Sequence, residues 1–279
     1  GFRDISAEPE EQIRQALTLG IRDFVEKIGL STVHLGLSGG IDSAVVACLA
    51  ADALGPQRVT CIGLPGPFNS PKSLEWSRKL AKNLGVAWYE LNIEQMYKET
   101  SLSLDHVFGE TPFGVMHENI QARLRGLLLM AYANREGSLL LNTSNKSELA
   151  MGYSTLYGDL CGGLCVIGDL LKSQVYSLAR YYNSQGELIP REIIERSPSA
   201  ELRPNQKDED SLPPYEQLDP AVAKLVVGAK SPKGSVEARV LRSLMSTEFK
   251  RWQAPPILKV SDHAFGRGRR LPIAHKAMY

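Results

Sequence analysis

The sequence has little cysteine, little excess charge of either sign and no long apolar run. Its 279 residues carry a formal net charge of +1, whereas a dedicated nucleic-acid-binding protein normally has a strong basic excess. No apolar run approaches the ~20 residues that a membrane-spanning helix needs. Four cysteines are few for a disulfide-stabilised secreted protein. We therefore expect a cytoplasmic protein with neither a nucleic-acid nor a membrane partner.

Apolar residues alternate in some segments and recur at helical spacing in others. The alternation predicts strands over 32–37, 58–64, 86–93 and 138–141. The helical spacing predicts helices over 43–54, 70–85, 118–135, about 170–183, 190–196 and 235–252. Strands alternate with helices in the first half of the chain. We therefore predict an α/β fold, a doubly wound parallel sheet with helices on both faces, followed by C-terminal helices.

Ligands of such sheets bind at the carboxyl ends of the strands. Residues just after Leu37, Leu64 and Leu141 should therefore share one crevice. Thr143 follows the last of these strands and belongs in that crevice on this argument alone.

The turn after the first strand has the composition of an anion-binding site. Residues 38–43 read Ser-Gly-Gly-Ile-Asp-Ser. Glycines let the backbone approach a phosphate closely, and the first amides of a helix favour negative charge. Ser38 and Ser43 add hydroxyl donors, and Asp42 fits best as a ligand of a magnesium ion that bridges phosphate oxygens. An ordinary strand–helix turn is the alternative, but it does not require this many small and polar residues.

This stretch differs from the two common phosphate-binding motifs, since no lysine follows the glycines and the G-x-G-x-x-G spacing is not found here. It resembles the SGGxDS loop of the ATP pyrophosphatase superfamily. The resemblance implies an adenine nucleotide alpha hydrolase-like fold. It also implies a reaction in which ATP is split between its α and β phosphates and AMP is transferred to a substrate oxygen.

Further stretches resemble motifs of the NAD synthetases and occur in the same order. They are ENIQARLRG (118–126), NTSNKSELAMGYSTLYGD (142–159), SPSAELRPNQKDEDSLPPYE (197–216), EFKRWQAPP (248–256) and AFGRGRRLPIA (264–274). The resemblance implies conversion of deamido-NAD, ATP and ammonia to NAD, AMP and pyrophosphate. The tail and the TLYGD wording are closer to the synthetase domain of the glutamine-dependent form. We therefore predict one synthetase domain over 1–279, either a stand-alone ammonia user or a domain separated from a glutaminase domain.

The resemblance also implies the residues of the nucleotide site. Those matching ATP-binding positions are Gly36, Leu37, Ser38, Gly39, Gly40, Ile41, Asp42, Ser43, Thr143, Lys172 and Ser199. Asp42 and Glu148 match the two magnesium ligands, and Asp42 and Lys172 are expected to be catalytic. Two carboxylates from two strand ends that clamp metal on a triphosphate are a recurring arrangement. The alternatives are a solvated acid beside Lys146 for Glu148 and a surface charge for Lys172.

The residues that match substrate positions for deamido-NAD are Asn119, Arg123, Glu148 and Lys250. Asn119 and Arg123 lie one helical turn apart and should share a face, although an ordinary exposed arginine is the alternative. Phe249 and Leu156 stand where ammonia-dependent members have a histidine and a lysine, which favours the glutamine-dependent lineage. Asp159 is expected to be catalytic, near the ammonia or the adenylate.

Other features carry weaker expectations. The helix over 118–135 is apolar over a wide arc, and the resemblance implies a homodimer. The segment 197–216 is rich in proline and charge, so we expect a mobile lid over ATP that does not bury itself. The acids at 208–210 are expected to face solvent, and Cys161 and Cys165 to pack in the core.

Other functions remain open. Within the superfamily they are another amidating synthetase, such as GMP synthetase, or a tRNA-modifying enzyme, which usually has a basic surface or catalytic cysteines. A non-catalytic adenine-nucleotide-binding module is the alternative from a different class. The presence of both Asp42 and Glu148 argues against it.

Overall fold

A five-stranded parallel sheet forms the centre of the molecule. The computed structural model describes residues 8–228, 231–266 and 269–273. The strands are β1 (Val33–Gly36), β2 (Val59–Gly63), β3 (Ala87–Glu90), β4 (Leu139–Asn142) and β5 (Leu164–Cys165). They lie in the order β3-β2-β1-β4-β5, and each neighbouring pair is parallel. The chain moves outward from β1 to β3 and then returns to β4, so the direction of winding reverses between β1 and β4. This is where such sheets bind ligands.

Helices connect the strands and form a C-terminal group. The longer ones are α1 (Pro9–Lys27), α2 (Ile41–Leu54), α3 (Pro71–Leu84), α4 (Glu94–Phe108), α5 (Val115–Glu136), α7 (Lys172–Tyr182), α9 (Tyr215–Val222) and α10 (Ser235–Ser246). The shorter ones are α6 (Lys146–Met151), α8 (Arg191–Glu195) and α11 (Glu248–Arg251). Within the described residues, no helix is both long and apolar enough to cross a membrane.

The two faces of the sheet are covered by different helices because successive side chains of a strand point in opposite directions. Cys61 of β2 packs in the main core with α1, α2 and α7. Its neighbour Ile62 packs on the other side with Leu124 and Leu128 of α5. Helix α2 is apolar almost all round because it lies between the sheet and helices α1 and α7. The predicted fold class, a parallel sheet with helices on both faces, is confirmed.

A second core joins the C-terminal helices to the short helix α6. Leu149 of α6 packs with Leu218 and Val222 of α9 and with Val240 and Leu244 of α10. The C-terminal helices therefore hold α6, which begins just after β4, against the edge of the sheet. This positions Glu148 beside the carboxyl ends of the strands.

The structure differs from the predicted elements in several places. The predicted helix over 235–252 is interrupted at Thr247, whose hydroxyl donates to the Ser243 carbonyl at 2.6 Å and so competes with the helical backbone. The sequence patterns predicted none of α1, α4, α6, α9 and β5, and β5 is too short to show an alternating pattern. In the tail motif, Arg267, Gly268 and Ala274 lie outside the described residues.

Candidate active site

The turn between β1 and α2 has a backbone that only glycine adopts easily at one position. Gly39 has φ +77°, and a Cβ there would lie 2.4 Å from the Ser73 carbonyl oxygen. Ser43 closes the turn, because its hydroxyl accepts from the Ser38 amide at 3.2 Å and donates to the Gly40 carbonyl at 3.1 Å. Helix α2 begins directly afterwards at Ile41. The predicted strand–turn–helix is confirmed, and its first helical amides face the crevice end of the sheet.

The crevice beyond the strand ends has two parts. The first, which we call the apolar pocket, has a volume of about 240 Å³, several times the ~30 Å³ that a water molecule occupies. Its walls come from the ends of β1, β2 and β4 and from α3 and α5. Residues lining it include Gly36, Leu37, Ser38, Ile62, Leu64, Leu129, Leu141 and Thr143. The expectation that the residues after Leu37, Leu64 and Leu141 share one crevice is confirmed.

The second part, which we call the charged chamber, lies beside the apolar pocket and shares Ser38, Thr143 and Asp159 with it. Seven predicted site residues line the chamber without lining the apolar pocket. They are Gly40, Ile41, Asp42, Ser43, Glu148, Lys172 and Ser199, the last from the segment after α8. Gly39 lines neither cavity. Its positive φ allows the turn that brings its neighbours Ser38 and Gly40 to the crevice.

Lys172 bridges the two carboxylates that were predicted to hold metal. Its Nζ donates to Asp42 Oδ2 at 2.5 Å and to Glu148 Oε1 at 3.3 Å. The Lys172 side chain is only 2% exposed, so the interpretation of Lys172 as a surface charge is wrong. Burial by itself would lower the pKa of Lys172, but the adjacent carboxylates of Asp42 and Glu148 outweigh it and raise that pKa.

Glu148 is held at the start of α6 by a reciprocal cap. Its amide donates to Asn145 Oδ1 at 2.9 Å, and its carboxylate accepts from the Asn145 amide at 3.3 Å. The Asn145 side chain also donates to Asp42 Oδ1 at 2.9 Å. Asn145 thus links the two carboxylates directly. Desolvation, followed by the nearby charge of Asp42, raises the pKa of Glu148, and the charge of Lys172 opposes this rise.

The alternative reading of Glu148, a solvated acid beside Lys146, is wrong. Lys146 is buried and points away, donating to Asp169 Oδ1 at 2.8 Å and to the His263 carbonyl at 2.8 Å. Asp169 also accepts from the amide of Ser261. This buried ion pair ties the start of α6 to the C-terminal segment and leaves Glu148 to face the chamber.

The donor set of the chamber fits a magnesium ion. Magnesium prefers oxygen ligands and is usually bound by one or two carboxylates together with substrate phosphates and water. Asp42 and Glu148 provide two such carboxylates, and a single cationic atom, Lys172 Nζ, already contacts both. Among the described residues, no group of three or more His, Cys, Asp or Glu side chains is arranged to hold a metal. The remaining ligands would therefore be phosphate oxygens and water.

Asp208 is a chamber residue that the sequence analysis assigned wrongly to a solvated loop face. Its side chain is buried, lines the chamber, and accepts from Tyr215 at 3.0 Å and Tyr153 at 3.4 Å. Burial raises its pKa, although the charge of Lys172 opposes this. Tyr153 is distant in sequence and Tyr215 lies in α9. The local run of acids therefore did not indicate that Asp208 is buried.

Three of the four predicted substrate residues lie around one loop, residues 152–158, rather than in either cavity, whereas the fourth, Glu148, lines the charged chamber. Lys250 donates through Nζ to the carbonyls of Gly152 and Ser154 at 2.8 and 2.7 Å. Arg123 donates to the Leu156 carbonyl at 3.2 Å, and Asn119 accepts from the Thr155 hydroxyl at 2.7 Å. Asn119 and Arg123 therefore share a helix face, as predicted. Their contact with a dinucleotide stays a prediction.

Asp159 lies where this loop meets both cavities. Its carboxylate accepts from the Thr155 amide at 2.5 Å. Surrounding protein atoms desolvate it and raise its pKa to about 6, although the residue remains accessible from the crevice. A carboxylic acid with such a pKa exchanges protons near neutral pH.

The segment after α8 covers the crevice and is well anchored. Glu201, in a left-handed conformation (φ +49°), accepts from Ser73 at 2.8 Å, Asn69 at 3.0 Å and Arg196 at 2.9 Å. Leu212 and Asp208 of the same segment are buried. The expectation that this segment does not bury itself is wrong for Gln206, Asp208, Leu212 and Pro213, which are buried, and its role as a mobile lid over ATP stays a prediction.

A model of NAD synthase matches residues 13–254. The chain belongs to the NAD synthase family. A glutamine-dependent NAD(+) synthetase of Synechocystis sp. is 46% identical over 272 residues, which are 95% of this chain and 49% of that protein.

Solved structures of the NAD synthase family have the same fold. The glutamine-dependent NAD+ synthetase of Acinetobacter baumannii, solved with ADP, has a TM-score of 0.68 and 36% identity, over 98% of this chain and 51% of that one. The NH3-dependent NAD synthetase of Campylobacter jejuni, solved with nitrate, has a TM-score of 0.71 and 28% identity, over 88% and 96%. This chain thus spans about half the length of the glutamine-dependent relatives and corresponds to nearly all of the ammonia-dependent one.

Proposed function

We propose that this chain catalyses the ATP-dependent amidation of deamido-NAD to NAD, with ammonia as the immediate nitrogen donor. The observation that carries the proposal is the charged chamber, in which Asp42, Glu148 and Lys172 converge at the phosphate-binding turn of an NAD synthase family member. The apolar pocket next to it is suited to the adenosine of ATP. The relative solved with ADP supports nucleotide binding in this family.

The chemistry follows from what the chamber provides. The nicotinate carboxylate attacks the α-phosphorus of ATP, the bond to the β-phosphate breaks, and pyrophosphate leaves. Ammonia then attacks the acyl carbon of the adenylate and loses a proton. The bond from the acyl carbon to AMP breaks, AMP leaves, and the carbonyl remains in the amide product. Magnesium held by Asp42 and Glu148 would neutralise charge on the phosphates. Lys172 and the first amides of α2 would stabilise the departing pyrophosphate.

Positioning contributes the rest, since the reaction needs no covalent intermediate on a protein side chain. Ser199, in the segment that covers the crevice, would contact the phosphates. Loop 152–158, clamped by Asn119, Arg123 and Lys250, would present the nicotinate end of deamido-NAD. Asp159, with a pKa of about 6, would accept a proton from the incoming ammonium.

The test is an assay with purified protein, deamido-NAD, ATP, magnesium and ammonium chloride, in which NAD, AMP and pyrophosphate are each measured. Equal amounts of the three products are expected. Parallel reactions contain xanthosine monophosphate or nicotinate mononucleotide in place of deamido-NAD. ADP as the product, or amidation of xanthosine monophosphate instead, would contradict the proposal. Nucleotide binding without any AMP would favour a non-catalytic module.

The physiological nitrogen donor is a separate part of the proposal. Relatives about twice the length of this chain are glutamine-dependent, whereas one of similar length uses NH3. We infer that this chain carries the synthetase activity and accepts ammonia either free or from a glutaminase domain. Replacing ammonium with glutamine in the assay tests this. Activity with ammonium alone would identify the chain as the synthetase part.

We also propose that the protein is a homodimer through α4 and α5. Both helices expose large apolar side chains, including Phe108 at 75% and Leu127 at 57%. Leu127→Glu should shift the protein to a monomer in light scattering at micromolar concentration. The matched control is Leu19→Glu, on α1, where the leucine is 62% exposed. A wild-type monomer with full activity would contradict the proposal.

Its location is proposed to be the cytoplasm. All four cysteines are free thiols, and three of them are buried, which fits a reducing compartment.

A further inference from the structure

The Lys172 ammonium lies between the carboxylates of Asp42 and Glu148. The proposed function assigns these two carboxylates to magnesium. Lys172 Nζ lies 2.5 Å from Asp42 Oδ2 and 3.3 Å from Glu148 Oε1. These are hydrogen-bonding distances to both groups from one atom. A cation bridging the same two oxygens would have to share this space with the ammonium.

The surroundings keep the ammonium there. The Lys172 amide donates to the Ser147 hydroxyl at 3.2 Å, which fixes the start of α7 against α6. On another side, the ring of Tyr215 lies 5.2 Å from Nζ, within the range of a cation–π contact. The Lys172 side chain is 2% exposed, while those of Asp42 and Glu148 are 19% and 17% exposed. The carboxylates therefore face the chamber, and the ammonium reaches them from inside the protein.

The charges make the competition strong. Two carboxylates that share one ammonium are partly neutralised, so they attract a free divalent cation less than two carboxylates alone would. A lysine has a flexible stem and a compact charge, so its head can move a short distance if another anion is offered. The phosphate-binding turn at 38–43 and Ser199 line the same chamber, so phosphates bound there would lie within reach of Lys172.

We propose that Lys172 is a gate for the metal, which excludes a free divalent cation from Asp42 and Glu148 and yields the site when the phosphates of ATP arrive. This inference rests on the proposed function, because it takes the metal site and the nucleotide site from it. Metal and nucleotide should then bind cooperatively, and each should raise the affinity of the other by the same factor.

The experiment measures binding of Mn²⁺, used as a paramagnetic substitute for Mg²⁺, by electron paramagnetic resonance without nucleotide. The variants are Lys172→Met and Lys172→Gln, which remove the charge, and Lys172→Arg, which keeps it. We expect the two uncharged variants to bind one Mn²⁺ at least tenfold more tightly than the wild type. Lys172→Arg should bind as weakly as the wild type. Adding Asp42→Asn to Lys172→Met should abolish the gain.

Melting temperatures provide a second readout that does not depend on activity. Mn²⁺ should raise the melting temperature of the uncharged variants clearly and that of the wild type little. If Lys172→Met does not fold, Lys172→Gln, which keeps a polar head, carries the comparison.

Wild-type protein with α,β-methylene-ATP, whose scissile bridge is carbon, separates this inference from the proposed function. With that analogue the wild type should bind Mn²⁺ tightly, and Asp42→Asn should not. If this holds but the uncharged variants bind Mn²⁺ no more tightly without nucleotide, the gate is wrong and the metal site stands. If Asp42→Asn makes no difference with the analogue, the metal site and the gate are both wrong.

Discussion

The apolar pocket and the charged chamber form one crevice but are built from different parts of the chain. The pocket consists mostly of strand ends and the helices packed on them, such as Ile62 of β2 and Leu129 of α5. The chamber draws on the start of α2, on α6, on α7 and on the segment after α8. Many residues of the pocket therefore belong to the cores that stabilise the sheet. The chamber gathers the charged side chains of Asp42, Glu148, Lys172 and Asp208, which hydrogen bonds and ion pairs hold in place.

This difference indicates a division between stability and chemistry. Side chains of the pocket gain free energy by leaving water. The charges of the chamber lose solvation when the protein folds, and only their interactions with each other offset this cost in free energy. Substitutions in the chamber should consequently lower turnover more than stability, and substitutions in the pocket should lower stability more than turnover. Experiments can therefore test the division.

The largest effect is expected in the chamber. Asp42→Asn should reduce AMP formation by more than the roughly 10–100-fold that is typical for residues supporting a metal site, because it removes the charge of a proposed magnesium ligand. The melting temperature should change little, because Asn keeps the oxygen that accepts from Asn145 and because Glu148 still pairs with the Lys172 ammonium. Turnover is measured at several magnesium concentrations, and high magnesium should restore part of it.

The control for this change lies on the same helix. Asp52→Asn, at the far end of α2 where Asp52 pairs with Arg14, should leave AMP formation unchanged. Normal turnover of Asp42→Asn at low magnesium would contradict the proposal that Asp42 is a magnesium ligand.

The opposite signature is expected in the pocket. Ile62 of β2 is completely buried and packs against α5. Ile62→Ala should therefore lower the free energy of unfolding by about 2–5 kcal/mol. Urea denaturation measures this change. At a temperature where the variant is folded, AMP formation at saturating substrate should stay within a few-fold of the wild type. A loss of turnover as large as that of Asp42→Asn would contradict the division between stability in the pocket and chemistry in the chamber.

Gly39 lies at the boundary between the two regions and tests the turn itself. Gly39→Ala places a Cβ against the Ser73 carbonyl and strains a positive φ, so roughly 1–3 kcal/mol of stability should be lost. Gly40→Ala is the matched control, because its Cβ would meet only the flexible Ser38 hydroxyl at 3.2 Å and its φ is −94°. Equal melting temperatures for the two variants would contradict this reading of the turn.

A smaller effect is expected in the segment that covers both regions. Glu201→Gln removes the charge that holds this segment to Arg196, Ser73 and Asn69, which should cost about 1 kcal/mol locally. Limited proteolysis within 197–216 should become a few-fold faster, and ATP with magnesium should slow it in the wild type. Equal cleavage with and without ligand would argue against a mobile lid.

The smallest effect concerns the pH dependence of stability at Asp159. Its pKa is about 6 in the folded protein against 3.8 for the ordinary group. Between these values the folded state holds a proton that the unfolded state has released, so this group makes the protein less stable as pH rises through the window. Asp159→Asn removes that loss. Its melting temperature should equal that of the wild type near pH 4 and exceed it above pH 6, and a difference independent of pH would contradict the shift.

Much of the pocket could be predicted because local patterns encode it. The alternation around Val33, Leu35 and Leu37 and the glycine-rich turn after them define a strand, a turn and a helix within a short stretch. The rule that parallel strands present ligands at their carboxyl ends then brings three separate stretches together. The motifs at Asp42, Glu148 and Lys172 added the identities of the charged residues.

The geometry of the chamber was decided only by the tertiary structure. Asp42 and Lys172 are 130 positions apart, and no local pattern states that one ammonium would lie between two carboxylates. Asp208 looked like part of a solvated acidic run, yet it is buried and accepts hydrogen bonds from Tyr153 and Tyr215. Lys146 looked like a partner for Glu148, yet Asp169 holds it on the other side.

By itself, therefore, the sequence determined four of the five strands and the glycine-rich turn after β1, because short-range periodicity and glycine conformation act over a few residues. Its motifs determined the resemblance to the NAD synthetases. The tertiary structure decided which charges meet. Burial and ion pairing depend on contacts between distant segments, and the free energy of a buried charge is set by the neighbours that the fold brings to it.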